Sequence, residues 1–191
     1  MIKNLIFDLG GVVFDENDGA TTSPLRMAAK DDGQYHMLWS NLLLGRMKMK
    51  ECFQILIEQN PVNKKILYGA DTYDFYLRKL PPIAETVDFI RMLNGTYNIY
   101  VLSNATDAMR DYAVRYLKIP SEVRGIFSCD VNMMKPDLDI FRLALNHFKL
   151  DPQETMYFDD KAKNCAAAEF LGMKSVLVKT PNDVIQAIEN L

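Results

Sequence analysis

The chain has 191 residues, of which 49% are apolar and 25% charged, and this ordinary globular balance fits one domain with a sizeable core plus a modest appendage. The formal net charge of −3 gives no electrostatic basis for binding nucleic acid or an anionic membrane. Three widely spaced cysteines, Cys52, Cys129 and Cys165, form no CxxC pair, which argues against a zinc site or a disulfide framework.

One strand followed by a block of helices is predicted for the first part of the chain. The apolar run Ile2–Phe7 predicts the strand; it is too short for a signal peptide or a membrane span, so the cytoplasm is the expected compartment. Residues 16–81 contain no convincing strand. Capping, glycine and proline signals divide that segment into the helices Ser23–Lys30, Gln34–Leu44, Met49–Glu58 and Asn63–Leu80, the last broken near Gly69.

Strands and helices alternate after Pro81-Pro82. The predicted strands are Ile99–Leu102, Ile126–Cys129, Met156–Phe158 and Ser175–Val178. The predicted helices are Ile83–Leu93, Asp107–Leu117, Leu138–Phe148, Ala162–Leu171 and Asn182–Glu189. This alternation predicts a doubly wound, Rossmann-like α/β fold with a parallel sheet and helices on both faces. We therefore expect a core domain of residues 1–15 and 82–191, and a small helical domain of residues 16–81 inserted after the first strand.

Polar side chains follow four of the predicted strands. In chain order they are Asp8, then Ser103 and Asn104, then Lys135, and finally Asp159 and Asp160 with Lys161 and Asn164. Ligands of open α/β sheets bind beyond the carboxyl ends of the strands, so these residues mark one candidate site. Each has a plain structural explanation as a turn or cap residue, but four coincidences at four strand ends are much less probable together.

This set of residues suits phosphoryl transfer assisted by a metal. Clustered carboxylates repel one another and need a hard cation, and oxygen ligands beside phosphate favour Mg²⁺. The cation would let Asp8 approach phosphorus and form an aspartyl-phosphate intermediate. Ser103 and the N–H groups of the following helix would hold phosphate oxygens, and Lys135 would neutralise the nucleophile and the transferring group.

The same residues resemble, in order and spacing, the four motifs of the haloacid dehalogenase-like (HAD) hydrolases, and the resemblance covers essentially the whole chain. The matching segments are Ile6-Phe7-Asp8-Leu9-Gly10-Gly11-Val12-Val13, Val101-Leu102-Ser103-Asn104, Lys135-Pro136 and Tyr157-Phe158-Asp159-Asp160-Lys161-Ala162-Lys163-Asn164. The resemblance implies that Asp8 is the nucleophile and a metal ligand, and that Gly10 supplies a backbone carbonyl to the metal. It also implies that Asp160 binds the metal directly and Asp159 directly or through water.

The resemblance further implies that Ser103 and Asn104 hold the phosphate or the substrate and that Lys135 stabilises charge. Residues 16–81 resemble the type C1 cap of the family, which closes over the site and excludes water.

Gly10 departs from the family pattern. Most phosphatases of the family carry a second Asp there, two residues after the nucleophile, as general acid and base, and a missing acid typically costs about 10²–10⁴-fold in rate. Three explanations stay open: a substrate that needs no protein acid, a substitute acid such as Asp15 or Glu16, or a protein that binds phosphorylated ligands without turnover. A branch resembling bacterial glucose-1-phosphatases also opens with Asp-Leu-Gly and is catalytic, which favours an active enzyme. Haloacid dehalogenases also lack the second Asp, but they work without metal, whereas Asp159 and Asp160 favour a cation.

The sequence therefore predicts a Mg²⁺-dependent phosphatase acting on a small phosphorylated metabolite, most of all a sugar phosphate. A receiver-type signalling domain is disfavoured, because receivers place their acidic pair after the first strand. No nucleic-acid or membrane partner is expected, and monomer and homodimer both stay open. The insert residues that could reach the cleft are Arg26, Tyr35, His36, Trp39 and Arg46, although a surface place for His36 and core packing for Trp39 are favoured.

Overall fold

A five-stranded parallel sheet forms the centre of the protein in a computed structural model that describes residues 1–16, 21–93, 95–118 and 125–191. The strands are β1 (Asn4–Phe7), β2 (Asn98–Ser103), β3 (Gly125–Phe127), β4 (Thr155–Asp159) and β5 (Lys174–Leu177). Their order in the sheet is β3-β2-β1-β4-β5, and every neighbouring pair is parallel. The order reverses beside β1, because β2 lies on one side of it and β4 on the other. The expected doubly wound α/β fold is confirmed.

Helices fill the segment between β1 and β2 and follow each later strand. The first six are α1 (Ser23–Ala28), α2 (Asp32–Leu43), α3 (Met49–Gln59), α4 (Asn63–Leu67), α5 (Tyr73–Lys79) and α6 (Ala84–Met92). The others are α7 (Asp107–Leu117), α8 (Ser128–Val131), α9 (Leu138–Phe148), α10 (Ala162–Phe170) and α11 (Pro181–Glu189), with a 3₁₀ turn at Pro152–Glu154. We call α1–α5 the helical insert. Within the described ranges, no helix combines the length and the apolar character that a membrane span requires.

Two predicted elements differ from the structure in an informative way. The predicted strand Ile126–Cys129 is wrong at its end, because the strand stops at Phe127 and helix α8 begins at Ser128. The Ser128 hydroxyl accepts a hydrogen bond from the Ala105 N–H at 3.0 Å and bonds the Ala105 carbonyl at 3.3 Å, so a side chain replaces the next backbone bonds of the sheet. The predicted first strand begins at Asn4 rather than at Ile2. Residues 17–20, at the start of the predicted insert, lie outside the described residues.

The sheet is buried on both faces, as its parallel pairing requires. Leu5 and Phe7 of β1 belong to one apolar cluster, and Ile6 between them belongs to a second cluster on the other face. The Phe7 ring stacks on Phe158 of β4 with the ring centroids 4.6 Å apart. The cluster that contains Phe7 continues into the helical insert, so insert and sheet share apolar packing.

The two chain segments that connect the insert with the sheet lie side by side. The Asp15 N–H donates to the Pro81 carbonyl at 2.8 Å, and the Ile83 N–H donates to the Val13 carbonyl at 2.8 Å. The insert therefore enters and leaves at one place, close to the carboxyl end of β1. Glu16 is the first residue beyond this paired segment.

Candidate active site

The carboxyl ends of three neighbouring strands bring the predicted site residues together. The register pairs Phe7 with Val101 on one side and with Phe158 on the other, so the residues that follow these strands lie at the same level of the sheet. Asp8 is 4% exposed, Lys135 3% exposed, and Asp159 fully buried. Buried charges of this kind need opposite charges and hydrogen bonds to be tolerated.

Lys135 supplies the positive charge between the two buried carboxylates. Its Nζ lies 2.9 Å from Asp8 Oδ1 and 2.8 Å from Asp159 Oδ2. It also donates to the Leu102 carbonyl at 2.9 Å. An ammonium has three donor hydrogens, and three oxygens lie within 2.9 Å of this one. We call Asp8, Lys135 and Asp159 the strand-end cluster.

Asp8 is fixed through one of its oxygens. Oδ1 accepts hydrogen bonds from the Leu9 N–H at 2.7 Å and from Ser103 Oγ at 2.8 Å, besides its contact with Lys135. Burial raises the pKa of Asp8 to about 6, against the opposing effect of Lys135. The carboxylate is thus oriented by donors just after β1, at the end of β2 and in the loop after α8.

Asp159 has protein donors on both of its oxygens. The Tyr157 hydroxyl donates to Oδ2, the Lys161 N–H donates to Oδ1 at 2.9 Å, and Asn164 Nδ2 lies 3.0 Å from each oxygen. Burial by itself would raise the pKa of Asp159, but the charge of Lys135 and these hydrogen bonds hold it below its ordinary value. Asp159 therefore acts in this structure as the anchor of Lys135.

A divalent cation fits beside these residues. Asp8, Asp159 and Asp160 each place a carboxylate oxygen within 4.8 Å of the others. Asp160 Oδ1 is buried and has no hydrogen-bond partner among the described residues, and Lys161 Nζ is 3.8 Å away, outside hydrogen-bonding range. Burial also raises the pKa of Asp160. A buried, unpartnered carboxylate oxygen next to two more carboxylates is a donor set for a hard cation such as Mg²⁺, with Asp160 offering the oxygen that the protein leaves open.

Asn104 holds the loop that carries Lys135. Its Nδ2 donates to the Lys135 carbonyl at 2.9 Å, and its Oδ1 accepts from the Lys135 N–H at 2.9 Å. A carboxamide has two N–H donors, so one remains for a ligand. The side chain thus positions Lys135 in addition to any contact with substrate.

Two adjacent glycines leave space for the side chains of two different acidic residues. Gly11 has φ +71°, and a β-carbon there would lie 2.8 Å from the carboxyl group of Asp160, so both the backbone and the space require glycine. Gly10 does not have a left-handed backbone, but a β-carbon on it would lie 2.1 Å from Glu16 Oε1. The space beside Gly10 is therefore filled by the side chain of Glu16.

Two cavities meet at this site. A small cavity of about 30 Å³, the nucleophile cavity, is lined by Asp8, Gly10, Ser103 and others. A larger one of about 270 Å³, the insert cavity, lies between the sheet and the insert. Residues that line both are Glu16, Asn104, Met109, Lys135, Lys161 and Asn164.

Of the five insert residues singled out in the sequence, Trp39 lines the insert cavity. Arg26 lies over the ring of the buried Tyr35 at 4.6 Å, and the exposed His36 packs edge-on against the same ring. Arg46 bonds Asn132 on the core at 3.4 Å.

Sequence reasoning missed several residues at this site. Leu43 also lines the insert cavity, and its spacing of four residues from Trp39 on α2 could have indicated a shared helix face. The Tyr157 hydroxyl was missed as a donor to Asp159, although residues two apart on a strand share a face. Thr21 lines the insert cavity as well, and no sequence signal points to it.

Comparison with known proteins agrees with this geometry. The family described as haloacid dehalogenase-like hydrolase matches residues 5–178. The sesquiterpene phosphatase astK of Aspergillus oryzae is 28% identical over 176 residues, covering 90% of this chain and 87% of its own length. The D-ribitol-5-phosphate phosphatase of Bacteroides thetaiotaomicron is 25% identical over 195 residues, covering 92% and 91%.

Drimenol cyclase drtB of Aspergillus calidoustus is 27% identical over 198 residues, and this chain spans 37% of its length. The structure of a predicted HAD-like family hydrolase from Porphyromonas gingivalis superposes with a TM-score of 0.78 at 29% identity, covering 100% of this chain and 97% of the other. The four motif segments, the sheet order and the matched range together place this chain in the haloacid dehalogenase-like hydrolase family.

Proposed function

We propose that this protein is a Mg²⁺-dependent phosphatase that removes phosphate from a small phosphorylated metabolite, with a sugar phosphate as the best-fitting class. Asp8 would carry the phosphoryl group as an aspartyl-phosphate. The observation that carries the proposal is a buried carboxylate held between Ser103 and Lys135, beside the open oxygen of Asp160. We also propose residues 1–15 and 82–191 as the core domain and residues 16–81 as a cap of type C1.

The proposed reaction assigns a task to each residue of the site. A Mg²⁺ ion held by Asp8, the Gly10 carbonyl and Asp160, with Asp159 direct or through water, would neutralise phosphate charge and polarise the phosphoryl group. Asp8 attacks phosphorus, and the bond from phosphorus to the leaving oxygen breaks. The Ser103 hydroxyl and the remaining Asn104 N–H donate to phosphate oxygens, and Lys135 offsets the negative charge that develops.

The size and lining of the insert cavity support a small polar substrate. About 270 Å³ lies close to the lower end of the usual range for small-molecule sites, roughly 300–1,000 Å³, and this size fits a small leaving group. Thr21 and Lys163 can bond hydroxyl groups, while Trp39 offers a flat apolar surface. Two relatives that match most of the chain are named as phosphatases, one of ribitol 5-phosphate and one of a sesquiterpene.

Two alternative functions predict different reaction products from those of a phosphatase. A non-catalytic binder of phosphorylated ligands, suggested by Gly10, would bind phosphate with Mg²⁺ and release none from substrates. A haloacid dehalogenase would release halide without metal, but a cluster of three carboxylates with an unpartnered buried oxygen disfavours metal-free chemistry.

Release of inorganic phosphate from a panel of sugar phosphates and an activated aryl phosphate tests the proposal, with and without Mg²⁺. Asp8→Asn removes the nucleophile and should abolish release, while Asp88→Asn, an equal charge change on the exposed face of α6, should leave it unchanged. Full activity of Asp8→Asn, or halide release without metal from 2-haloacids in place of phosphate release, would contradict the proposed function.

A further inference from the structure

The carboxyl group of Glu16 lies in the space that a side chain at position 10 would fill. A β-carbon built on Gly10 would lie 2.1 Å from Oε1 and 2.4 Å from Cδ of Glu16, so a side chain at position 10 would displace the Glu16 carboxyl group from its present place. The backbone at Gly10 does not require glycine, because its φ is outside the left-handed region. Glycine at position 10 therefore makes room for a carboxylate that comes from another part of the chain.

The position of Glu16 between the two cavities indicates what that carboxylate can reach. Glu16 lines the nucleophile cavity together with Asp8 and also lines the insert cavity together with Trp39. In the proposed reaction the phosphoryl group lies beside Asp8 and the leaving group lies under the insert. The oxygen atom that joins the phosphoryl group to the leaving group must then lie near the boundary between the two cavities, where Glu16 also lies.

From this geometry we infer that Glu16 is the general acid and base of the reaction, an inference that rests on the proposed phosphatase function. In the first step Asp8 Oδ bonds to phosphorus, the bond from phosphorus to the leaving oxygen breaks, and the protonated Glu16 gives its proton to that oxygen. In the second step water bonds to phosphorus and gives a proton to the Glu16 carboxylate, while the bond from Asp8 to phosphorus breaks. Free Asp8, protonated Glu16 and inorganic phosphate result.

The surroundings of Glu16 suit this role. Its side chain is 39% exposed, and Oε2 lies 3.9 Å from Nζ of Lys161, which lines the same two cavities. Asp15, the other acid next to the insert, is tied through its backbone N–H to Pro81. Of the described residues, Glu16 and not Asp15 lines the two cavities.

Glu16→Gln and Asp15→Asn, compared on two substrates, test the inference. For Glu16→Gln, kcat/KM on a sugar phosphate should fall by about 10²–10⁴-fold, and Asp15→Asn should keep its activity. An aryl phosphate with an acidic phenol needs no acid in the first step. Glu16→Gln should therefore release one equivalent of phenol rapidly and then stall, with a phosphoryl group on Asp8 detected by mass spectrometry of the quenched enzyme. A purely structural role of Glu16 predicts equal losses on both substrates and no such burst.

A positional exchange gives a second test. The double variant Gly10→Asp with Glu16→Ala removes the carboxylate of residue 16 and places one in the same space from residue 10. Its activity on the sugar phosphate should exceed that of Glu16→Ala alone by at least about tenfold. A double variant no more active than the single one would overturn the inference, as would an unimpaired Glu16→Gln. If the wild-type protein itself releases no phosphate, the proposed phosphatase function is wrong and this inference fails with it. The wild-type control therefore distinguishes a failure of the proposed function from a failure of the inference about Glu16.

Discussion

The strand-end cluster and the insert side of the site differ in how their charged groups are held. Each charged side chain of the cluster has at least three hydrogen-bond or ion-pair partners, and each of the three residues is 4% exposed or less. On the insert side, Glu16 is 39% exposed and its ion pair with Lys161 spans 3.9 Å. The proposed nucleophile is thus held within the buried edge of the sheet, whereas the group proposed to meet the leaving oxygen is partly exposed.

This contrast has an energetic reason. A buried charge is tolerated only while its partners remain, so a change in the cluster should destabilise the protein as well as disable the reaction. An exposed charge is solvated by water, so a change on the insert side should alter the reaction alone. We therefore expect the charged residues of the strand-end cluster to be constrained both by stability and by the reaction, and Glu16 by the reaction alone.

The largest expected effect is that of Lys135→Met, which leaves the Asp8 and Asp159 carboxylates buried without their counter-charge. We expect the free energy of unfolding to fall by about 3–5 kcal/mol in urea titrations, together with the loss of phosphate release. The matched control is Lys161→Met, because this lysine is 47% exposed and its partners are 3.8 and 3.9 Å away. The Lys161→Met substitution should lower the free energy of unfolding by less than about 1 kcal/mol. Equal losses of stability in the two variants would contradict the difference between the buried cluster and the exposed charges of the insert side.

A medium effect is expected for Gly11→Ala, measured against Gly95→Ala. Both glycines have positive φ, so each substitution should cost about 1–2 kcal/mol of stability. Only the β-carbon at Gly11 would lie 2.8 Å from the carboxyl group of Asp160; the one at Gly95 would meet nothing within 4 Å. Calorimetry should show Mg²⁺ binding weakened by about 10–100-fold for Gly11→Ala alone. Unchanged Mg²⁺ affinity in both variants would contradict the proposal that Asp160 binds the metal.

The smallest effect is expected for Trp39→Phe on the insert side. Phenylalanine keeps much of the apolar packing but shortens the surface offered to the insert cavity. KM for a sugar phosphate should rise about three- to tenfold, equivalent to ~0.6–1.4 kcal/mol, with an unchanged unfolding midpoint. His36→Ala on the exposed face of α2 should leave KM as it is. A loss of stability without a change in KM would show that Trp39 only packs.

The sheet and the strand-end residues could be predicted because both follow from local pattern. Alternation of apolar strands with helices fixes parallel pairing, and parallel pairing brings Asp8, Ser103 and Asp159 to one edge. The predicted third strand failed at Ser128, because a hydroxyl bonded to Ala105 ended the strand where the apolar residues suggested that it continued. Tertiary contacts of this kind override strand propensity.

The place of Glu16 could not be derived from the sequence, although Glu16 was one of two candidate acids. Its reach toward Gly10 depends on the path of the chain beyond Val13, which is set by backbone bonds to residues about 70 positions away, at Pro81 and Ile83. The same dependence on long-range contacts explains why most insert candidates turned out to lie away from the cavity.

The completed set of acceptors around Lys135 limits how a phosphate can enter. Three oxygens already lie within 2.9 Å of Nζ, those of Asp8, Asp159 and the Leu102 backbone. An arriving oxyanion can gain a straight hydrogen bond from this ammonium only by displacing one of those acceptors. Of these three acceptors, Asp8 lines the nucleophile cavity, so we expect an arriving phosphate to displace the oxygen of this proposed nucleophile from its contact with the ammonium.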